Sequence, residues 1–348
     1  MKRTVLLVWA LLYLFAMPSA AQVSVGENGT IYGNVFTDYY WVAQHHDDNI
    51  EGKNGFWFRR IYFTYDHALS DAFSTRLRLE MSSEGDFNTS AEMSPNVKDA
   101  YLKWQNDNHQ ILAGISSTPT WGLVEDVWGY RSVEKSPLDL FDFGSSRDMG
   151  LSFKGDLGET EKVSYHFFFG NGNSNRPEID KGKKMMLSLG YQLTENIVLQ
   201  GYVDWNDAAG NANRGDRKTL QIFGGYQSDA MNLGALFAYQ RRDKFSGGNV
   251  RKLSLMSVFA NRSFTDKING FLRIDHLFDP YVGGSNNAYI PFAENAEPTF
   301  LVGGADYKIE ENVRLIPNIE AIFYGSSIGS GSRPDISLIP RLTLSYQL

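Results

Sequence analysis

The chain of 348 residues contains no cysteine, no long apolar run beyond its N-terminus and no excess of basic residues. The absence of cysteine excludes a disulfide framework, a thiolate metal site and a lipidated N-terminal cysteine. A helix needs about 20 apolar residues to span a bilayer, and no segment beyond the N-terminus offers them. Acidic residues outnumber Lys and Arg by 40 to 33, which argues against a nucleic-acid partner. The 14% of aromatic residues and the 33 glycines are typical of strands and turns.

The N-terminus has the pattern of an export signal. Two basic residues precede an apolar stretch over residues 4–17, and Ser19 and Ala21 occupy the minus-three and minus-one positions of a cleavage site. The stretch is too short for a membrane anchor. We therefore expect a signal peptide over residues 1–21 and a single domain over residues 22–348. Cleavage leaves 31 basic and 40 acidic residues, a net charge of −9.

The clearest pattern is an alternation of side chains over residues 56–81. Ile61 and Phe63 alternate with Arg60 and Tyr62, and after a short turn leucines alternate with arginines. Because successive side chains of a strand point to opposite sides, this is a hairpin with one apolar and one charged face. A soluble sandwich turns its apolar face inward, whereas a membrane barrel turns it toward lipid and lines water with the charged face.

The connections between strands decide between these two folds. Sixteen segments with this alternation lie between residues 31 and 348, and their connections alternate in length. The short ones are residues 68–72, 105–110, 156–162, 193–197, 227–231, 263–267 and 309–313. The long ones are residues 42–55, 82–96, 116–146, 171–183, 206–217, 242–250, 278–298 and 325–335. We therefore predict an all-β fold, a membrane-spanning antiparallel β-barrel of about 16 strands with short periplasmic turns and long extracellular loops.

Aromatic residues at the strand ends support the barrel. At the short-turn ends these are Tyr65, Trp104, Tyr191, Tyr226, Tyr307 and Tyr346, and at the long-loop ends Tyr39, Trp41, Trp57, Trp205 and Tyr239. Two rings of amphipathic side chains at the two interfaces are typical of membrane barrels. Edge packing in a soluble core is the alternative, and it does not explain why the aromatic residues cluster at strand ends. The terminal strand keeps its alternation and ends in Leu348, where such barrels commonly end in an aromatic residue.

Four segments read GFWFRR at residues 55–60, VKDAYL at 97–102, ILAG at 111–114 and SRDMGL at 146–151. In their order and spacing they resemble the phosphate-selective porin O and P family of trimeric, 16-stranded outer-membrane channels. The resemblance covers about residues 29–170 and implies a homotrimer that takes up small solutes passively, with basic residues favouring anions. Arg59 and Arg60 match the family's twin arginine on the second strand. The alternation points Arg60 into the lumen and Arg59 toward lipid, near the outer interface where its long side chain can reach water.

The alternation also predicts which residues line the pore. The predicted pore-lining residues are Arg60, Arg76, Arg78, Glu80, Asp99, Lys103, Arg273, Asp275 and Arg341. Unopposed arginines would bind phosphate through paired hydrogen bonds, but here acidic residues nearly balance the basic ones. The alternative is that each of these charged residues is a solvated, structurally neutral part of the wall. We therefore expect a channel for small hydrophilic solutes or anions, with phosphate selectivity in doubt.

Residues 116–146 form the longest irregular connection, and we expect them to fold into the lumen as a constriction loop. A barrel this wide passes large solutes unless a loop narrows it. The candidate constriction residues are Trp121, Glu125, Asp126, Trp128, Arg131, Glu134 and Lys135. An external loop that packs on a neighbouring subunit is the alternative.

Other residues point to chemistry only weakly. The run from His45 to Asp48 is expected to be a solvated loop tip, because adjacent residues on one extended loop rarely converge on a metal. No cofactor, metal site or catalytic set is predicted. Two other functions stay open, which are an adhesion barrel with a plugged lumen and an outer-membrane hydrolase using His276 on the lipid face. The expected location is the bacterial outer membrane, with lipid and lipopolysaccharide as partners.

Overall fold

The structure is a computed structural model that describes residues 22–210, 215–245, 249–281, 289–327 and 331–348. The predicted signal peptide lies outside the described residues.

Seventeen strands account for most of the described chain, and each of β2 to β16 pairs antiparallel with the next. The strands are β1 (Val23–Val25), β2 (Gly29–Trp41), β3 (Asn54–Ala68), β4 (Phe73–Met81), β5 (Asn96–Asn106), β6 (His109–Ser117), β7 (Arg147–Leu157), β8 (Val163–Gly170), β9 (Lys184–Gln192), β10 (Ile197–Asn206), β11 (Arg217–Gln227), β12 (Met231–Phe245), β13 (Asn249–Thr265), β14 (Ile268–Leu277), β15 (Pro298–Glu310), β16 (Val313–Tyr324) and β17 (Ser337–Gln347). Strand β17 pairs with β2, which closes a sixteen-stranded barrel. The predicted fold class is therefore confirmed.

The short strand β1 completes the closure, and the sequence pattern did not predict it. Strand β17 pairs with β2 from Asn34 to Tyr40, and the amide of Leu348 donates to Gly33 O at 2.8 Å. Beyond this point β1 pairs with Gly29 to Ile31. The closing edge of β2 is thus paired along nearly its whole length, as a barrel in hydrocarbon requires, because an unpaired backbone group costs several kcal/mol there.

The barrel is apolar on the outside, and its inner face is polar except where apolar residues of the second half pack against the connection between β6 and β7. Large apolar side chains that are more than 40% exposed occur on the outer face of most strands, among them Leu199, Ile222, Phe237, Val258 and Ile274. The polar and charged side chains of the inner face pack against each other and against the connection over residues 118–146. Such an exterior is unfavourable in water and suits the hydrocarbon of a bilayer.

A β-bulge in β3 overturns the predicted direction of Arg59. Phe36 pairs with Arg60 while its neighbour Thr37 pairs with Phe58, so Arg59 is an extra residue opposite a continuous partner strand. An extra residue reverses the alternation on one side of it. Arg59 therefore points inward with only 2% of its side chain exposed, and Trp57 also points inward. The expectations that Arg59 faces lipid and that Trp57 belongs to the outer aromatic ring are both wrong.

A second bulge has the same effect in β5. Arg78 pairs with Asp99 and Leu79 pairs with Val97, which leaves Lys98 as the extra residue. Its ammonium group lies 2.8 Å from Glu80 Oε2 on the inner face. Lys98, which the simple alternation places outside, is therefore a lumen residue.

The two ends of the barrel differ as predicted, apart from one connection. Eight short turns join the described strands at the turn end, residues 26–28 between β1 and β2 among them, and the longer connections lie at the opposite loop end. The predicted loop at residues 242–250 is mostly strand, because β12 and β13 stay paired up to Phe245 and Asn249. In the described part of the chain, no helix is long and apolar enough to cross a membrane.

Within the residues that the structure describes, the helices lie in the connection between β6 and β7. They are α1 (Trp121–Trp128) and α2 (Pro137–Leu140). Residues of this connection form a buried apolar core with the inner face of the second half of the barrel. Its largest fully buried members are Trp121, Trp128, Tyr202, Tyr289, Phe141, Phe143, Phe168, Phe259, Phe292 and Phe300.

Candidate functional site

The connection over residues 118–146, which we call the inward loop, is fastened to inner-face side chains. Thr120 Oγ1 donates to Gln200 Oε1 at 2.6 Å. Gln240 Nε2 donates to the carbonyl of Phe143 at 2.5 Å. These partners lie on β10 and β12, on the inner wall of the barrel. The loop therefore folds into the lumen, as expected, and does not project outward toward a neighbouring subunit.

Helix α1 explains why the loop stays on that wall. Its apolar residues recur at helical spacing, so that Trp121, Val124 and Trp128 share one buried face. The Trp128 ring packs edge-on against Phe259 and Phe271 at centroid distances of 5.5 and 5.8 Å. The opposite face of the helix points into the remaining lumen.

Five charged residues form a sealed cluster where β2, β3, β16 and β17 meet the inward loop. Arg59 Nη2 lies 2.6 Å from Glu320 Oε1, and Arg341 Nε lies 2.5 Å from Glu320 Oε2. Arg59 Nε pairs with Asp38, and Arg59 Nη1 lies 3.6 Å from Glu134 Oε2. Each of these side chains is at most 2% exposed. The cluster is therefore part of the wall and its charges do not reach the lumen water.

A second group of charges, the basic cluster, lies between the inward loop and the strands β3, β4, β5 and β7. Its members are Arg60, Arg78, Lys98, Arg131, Lys135 and Arg147, with Glu80, Asp99, Glu125 and Asp139.

The acids of the basic cluster bridge its cations. Glu80 pairs with both Arg60 and Lys98. Asp99 pairs with Arg147 and lies 3.3 Å from Arg78 Nη1. On the loop side, Arg131 lies 3.2 Å from Glu125 and 4.0 Å from Asp139.

The basic cluster differs from the sealed cluster in exposure and in charge. Arg78, Lys98, Arg131 and Arg147 keep 16–19% of their side chains exposed. Six cations face four acids, which leaves an excess of two positive charges. An anion in the narrowed lumen would therefore meet partly exposed guanidinium and ammonium groups.

Tyr289 joins the two clusters. Its hydroxyl donates to the carbonyl of Arg59 at 2.9 Å. Its ring lies 5.1 Å from Arg59, 5.6 Å from Arg60 and 4.9 Å from Lys135, within cation–π range of all three. The backbone of Tyr289 has φ of 105°, a strained value for a residue with a side chain. No sequence pattern marked this residue.

The ionisation of the loop residues follows from their burial and their neighbours. Burial lowers the pKa of Lys135, and the charge of Asp139 only partly opposes this. Burial also raises the pKa of Glu125 although Arg131 favours its charged form. For Asp139 burial acts in the same direction, but the charges of Lys135 and Arg131 outweigh it and lower the pKa. The wall residues Arg60 and Lys98 also lower the pKa of Asp139, so the loop and the wall form one electrostatic unit.

The predicted pore-lining residues separate into four places. Arg60, Arg78, Glu80 and Asp99 meet in the basic cluster, while Arg341 belongs to the sealed cluster. Arg273 and Asp275 pair with each other at 2.5 Å with no exposed side-chain surface, beneath the inward loop. Arg76 pairs with Asp66 near the turn end, and Lys103 donates to Gln105 there. The alternation places all of them inward, but it carries no information on which ones the loop covers.

The predicted constriction residues also have different positions. Trp121 and Trp128 anchor the loop on the barrel wall, and Glu134 belongs to the sealed cluster. Glu125, Arg131 and Lys135 face the strands of the basic cluster. Asp126 is exposed and lines a separate cavity toward the turn end.

Two strand residues of the basic cluster were missed as site residues. Lys98 and Arg147 both lie within segments that carry the family resemblance, and this was the available signal. Within the described ranges, no group of three His, Cys, Asp or Glu side chains is arranged to hold a metal. His45 is buried, and its ring lies 4.1 Å from the ring of His46. The expectation of a solvated tip at this pair is therefore wrong.

The fold is similar to those of solved outer-membrane proteins. An anion-selective porin from Comamonas acidovorans has a TM-score of 0.68 at 11% identity, covering 92% of this chain and 99% of its own. The outer membrane channel DcaP of Acinetobacter baumannii has a TM-score of 0.65 at 12% identity, with 94% and 99% covered. OmpT of Vibrio cholerae in a trimer form has a TM-score of 0.61 at 12% identity, with 92% and 100% covered.

These likenesses establish the fold, which is the closed sixteen-stranded barrel of outer-membrane porins. No family model matches the chain, and no curated protein matches it.

Proposed function

We propose that the protein is an outer-membrane porin, a passive diffusion channel for small hydrophilic solutes with a preference for anions. The observation that carries this proposal is the basic cluster, in which an inward loop narrows the lumen against a wall with two excess positive charges. A charged constriction of this kind selects solutes by its electric field and its width, without converting them chemically.

The similar structures support this reading. One of them is an anion-selective porin and another an outer membrane channel. We infer a homotrimer in the bacterial outer membrane, exported through the cleaved signal peptide at residues 1–21, with lipid and lipopolysaccharide around it. The trimer follows the porin fold, for which OmpT provides a trimer form.

Membership of the phosphate-selective O and P family is a finer proposal, and the charges argue for weak selectivity within it. Tight phosphate binding needs arginines that are free to donate paired hydrogen bonds. Here Arg60 pairs with Glu80, and both Arg78 and Arg147 pair with Asp99. We infer general anion preference with weak phosphate binding.

Site roles follow from exposure. We propose that Arg78, Lys98, Arg131 and Arg147 select the passing ion, and that Arg60, Glu80 and Asp99 position them. Arg273, Asp275 and Arg341 would act as structural wall residues, because the inward loop covers them.

We also propose that the protein is not an enzyme. His276, the candidate for an outer-membrane hydrolase, lies on the outer face with its Nδ1 2.9 Å from Thr299 Oγ1. These residues are directly opposite each other on β14 and β15. A cross-strand contact therefore accounts for this histidine.

The test is the reversal potential of the purified barrel in a planar bilayer under a KCl gradient. We expect chloride to be more permeant than potassium, and the double variant Lys98→Gln with Arg131→Gln to lose most of this preference. The matched control is Lys218→Gln, an exposed position on the outer face of β11 that should change nothing. Absence of any conductance would refute the channel, and cation preference in the unaltered protein would refute the proposed role of the cluster.

A further inference from the structure

A second cavity lies on the loop side of the basic cluster and shares Arg147 with it. Its volume is about 360 Å³, and it is enclosed by parts of the inward loop, by residues 172–176 and by the inner face of β9 to β12. Small-molecule sites have volumes of about 300–1,000 Å³, so this cavity has room for one small solute.

Two buried oxygen atoms in its wall have no hydrogen-bond donor. Asp204 is 1% exposed in its side chain, and its Oδ2 accepts a hydrogen bond from Tyr202 at 2.6 Å and lies 3.1 Å from Lys184 Nζ in an ion pair. Asp204 Oδ1 and Asn206 Oδ1 accept no hydrogen bond from any described residue. Buried acceptors are normally satisfied, because an unpaired one loses its hydration without replacement. Both oxygens are covered from solvent, so a ligand hydroxyl would supply the missing donor after a small turn of either side chain toward the cavity.

The same cavity offers cations with spare donors. The nearest acid to Arg217 is Asp142, at 3.9 Å from its Nη1, and this carboxylate is 58% exposed. Arg176 also lines the cavity and is exposed, while Lys184 makes one ion pair with Asp204. A guanidinium has five N–H donors and binds a carboxylate in a two-point arrangement.

Asp148, the remaining acidic residue of the wall, already accepts a hydrogen bond at each of its carboxylate oxygens. Its Oδ1 accepts from the amide of Met149 at 3.0 Å and its Oδ2 from the amide of Gly172 at 2.7 Å. The free hydrogen-bonding groups of the wall are therefore of two kinds. Oxygen atoms on β10 can accept from ligand hydroxyls, and Arg176 and Arg217 can donate to a ligand carboxylate.

We infer that this cavity is a binding site for hydroxylated carboxylates, such as sugar acids, upstream of the basic cluster. The inference rests on the proposed channel function and deepens it by naming a solute class. A bound solute would place its hydroxyls against Asp204 and Asn206 and its carboxylate against Arg217. Arg147, which lines both sites, would lead the released anion toward the basic cluster.

The test compares three probes by titration calorimetry on the purified, folded barrel in detergent. Gluconate has hydroxyls and a carboxylate, sorbitol has the hydroxyls alone, and butyrate has the carboxylate alone. We expect gluconate to bind about tenfold more tightly than either partial probe, the effect of one good hydrogen-bonded contact. Equal affinity for all three probes, or binding of none, would overturn the inference.

Variants then locate the site. We expect Asn206→Leu and Arg217→Gln each to weaken gluconate binding by about tenfold, while Asn269→Leu, at an inner-face position outside the cavity, leaves it unchanged. Weakening by Arg131→Gln alone would place the binding in the basic cluster and overturn the inference. A conducting, anion-preferring barrel that binds no gluconate would leave the channel proposal intact, so the two failures are distinguishable.

Discussion

At the scale of single residues, Arg59 shows how much one extra residue changes. The bulge at this position turns a side chain that would face lipid into the centre of a sealed ion cluster. A lipid-facing Arg at the membrane midplane costs about 2–4 kcal/mol, whereas the inward Arg59 contacts Asp38, Glu134 and Glu320. The bulge therefore places a cation where three buried acids need one.

Replacing Arg59 should destabilise the barrel strongly. In Arg59→Leu, Arg341 is the only cation left in the sealed cluster with three buried carboxylates, and breaking a buried pair in this way costs about 3–5 kcal/mol. Urea unfolding in lipid vesicles measures the loss. The control Arg76→Leu breaks a pair with Asp66 whose side chains are 27% and 32% exposed, and it should cost about 1 kcal/mol or less. Equal losses of unfolding free energy in both variants would contradict the conclusion that burial makes the sealed cluster more important for stability than an exposed ion pair.

The buried histidine pair should make the connection between β2 and β3 sensitive to acid. Burial and the neighbouring His45 lower the pKa of His46 to about 4, and burial also lowers that of His45. Free histidine titrates near 6.5, so between about pH 6.5 and 4 the released loop binds protons that the docked loop does not. Docking is therefore strongest above this window and weakens as the pH falls through it.

Hydrogen exchange over residues 42–53, corrected for intrinsic rates, measures this effect. The groups facing the pair are Tyr324 and Ser337, with Asp47 and Glu51 on the same loop. The acids favour protonation, but burial outweighs them. We expect protection to fall with pH in the unaltered protein, and much less in a variant with glutamine at both positions. An identical fall in that variant would exclude the histidines as the cause.

At the scale of elements, alternation predicted the strands well because a buried or lipid-covered face tolerates no change of register. The strands β8 (Val163–Gly170) and β14 (Ile268–Leu277) have the predicted limits. Alternation could not predict the bulges at Arg59 and Lys98, because a bulge adds one residue and no particular residue type marks its position. The ion clusters depend on these bulges and on the loop path, so their membership could be read only in part from the sequence.

The inward loop depends on the packing of α1, and Trp128 is one of its two tryptophan anchors. Trp128 is fully buried, and truncation of such a ring to alanine costs about 3–5 kcal/mol of packing. We expect Trp128→Ala to release the loop from β13 and β14 and to raise the single-channel conductance in planar bilayers. The control Trp205→Ala removes a 42% exposed ring from the outer face and should leave the conductance unchanged. An unchanged conductance in Trp128→Ala would show that other anchors hold the loop.

At the scale of the whole molecule, net charge and local charge make opposite predictions. The chain is acidic, with a formal net charge of −7, whereas the basic cluster has two excess positive charges. If the net charge set selectivity, cations would pass preferentially. A permeating ion, however, comes within contact distance only of the constriction, and more distant charges are screened over about 10 Å at 0.1 M salt.

Selectivity should therefore favour anions and decline as the salt concentration rises. The screening length falls from about 10 Å at 0.1 M to about 3 Å at 1 M, so the partly exposed cations of the basic cluster attract anions over a shorter range. Reversal potentials at one fixed gradient ratio and increasing mean KCl concentration measure this decline. If the preference were for cations at low salt and vanished at high salt, the acidic surface would dominate. A preference independent of salt would instead require sites that bind the anion directly, with its hydration shell removed.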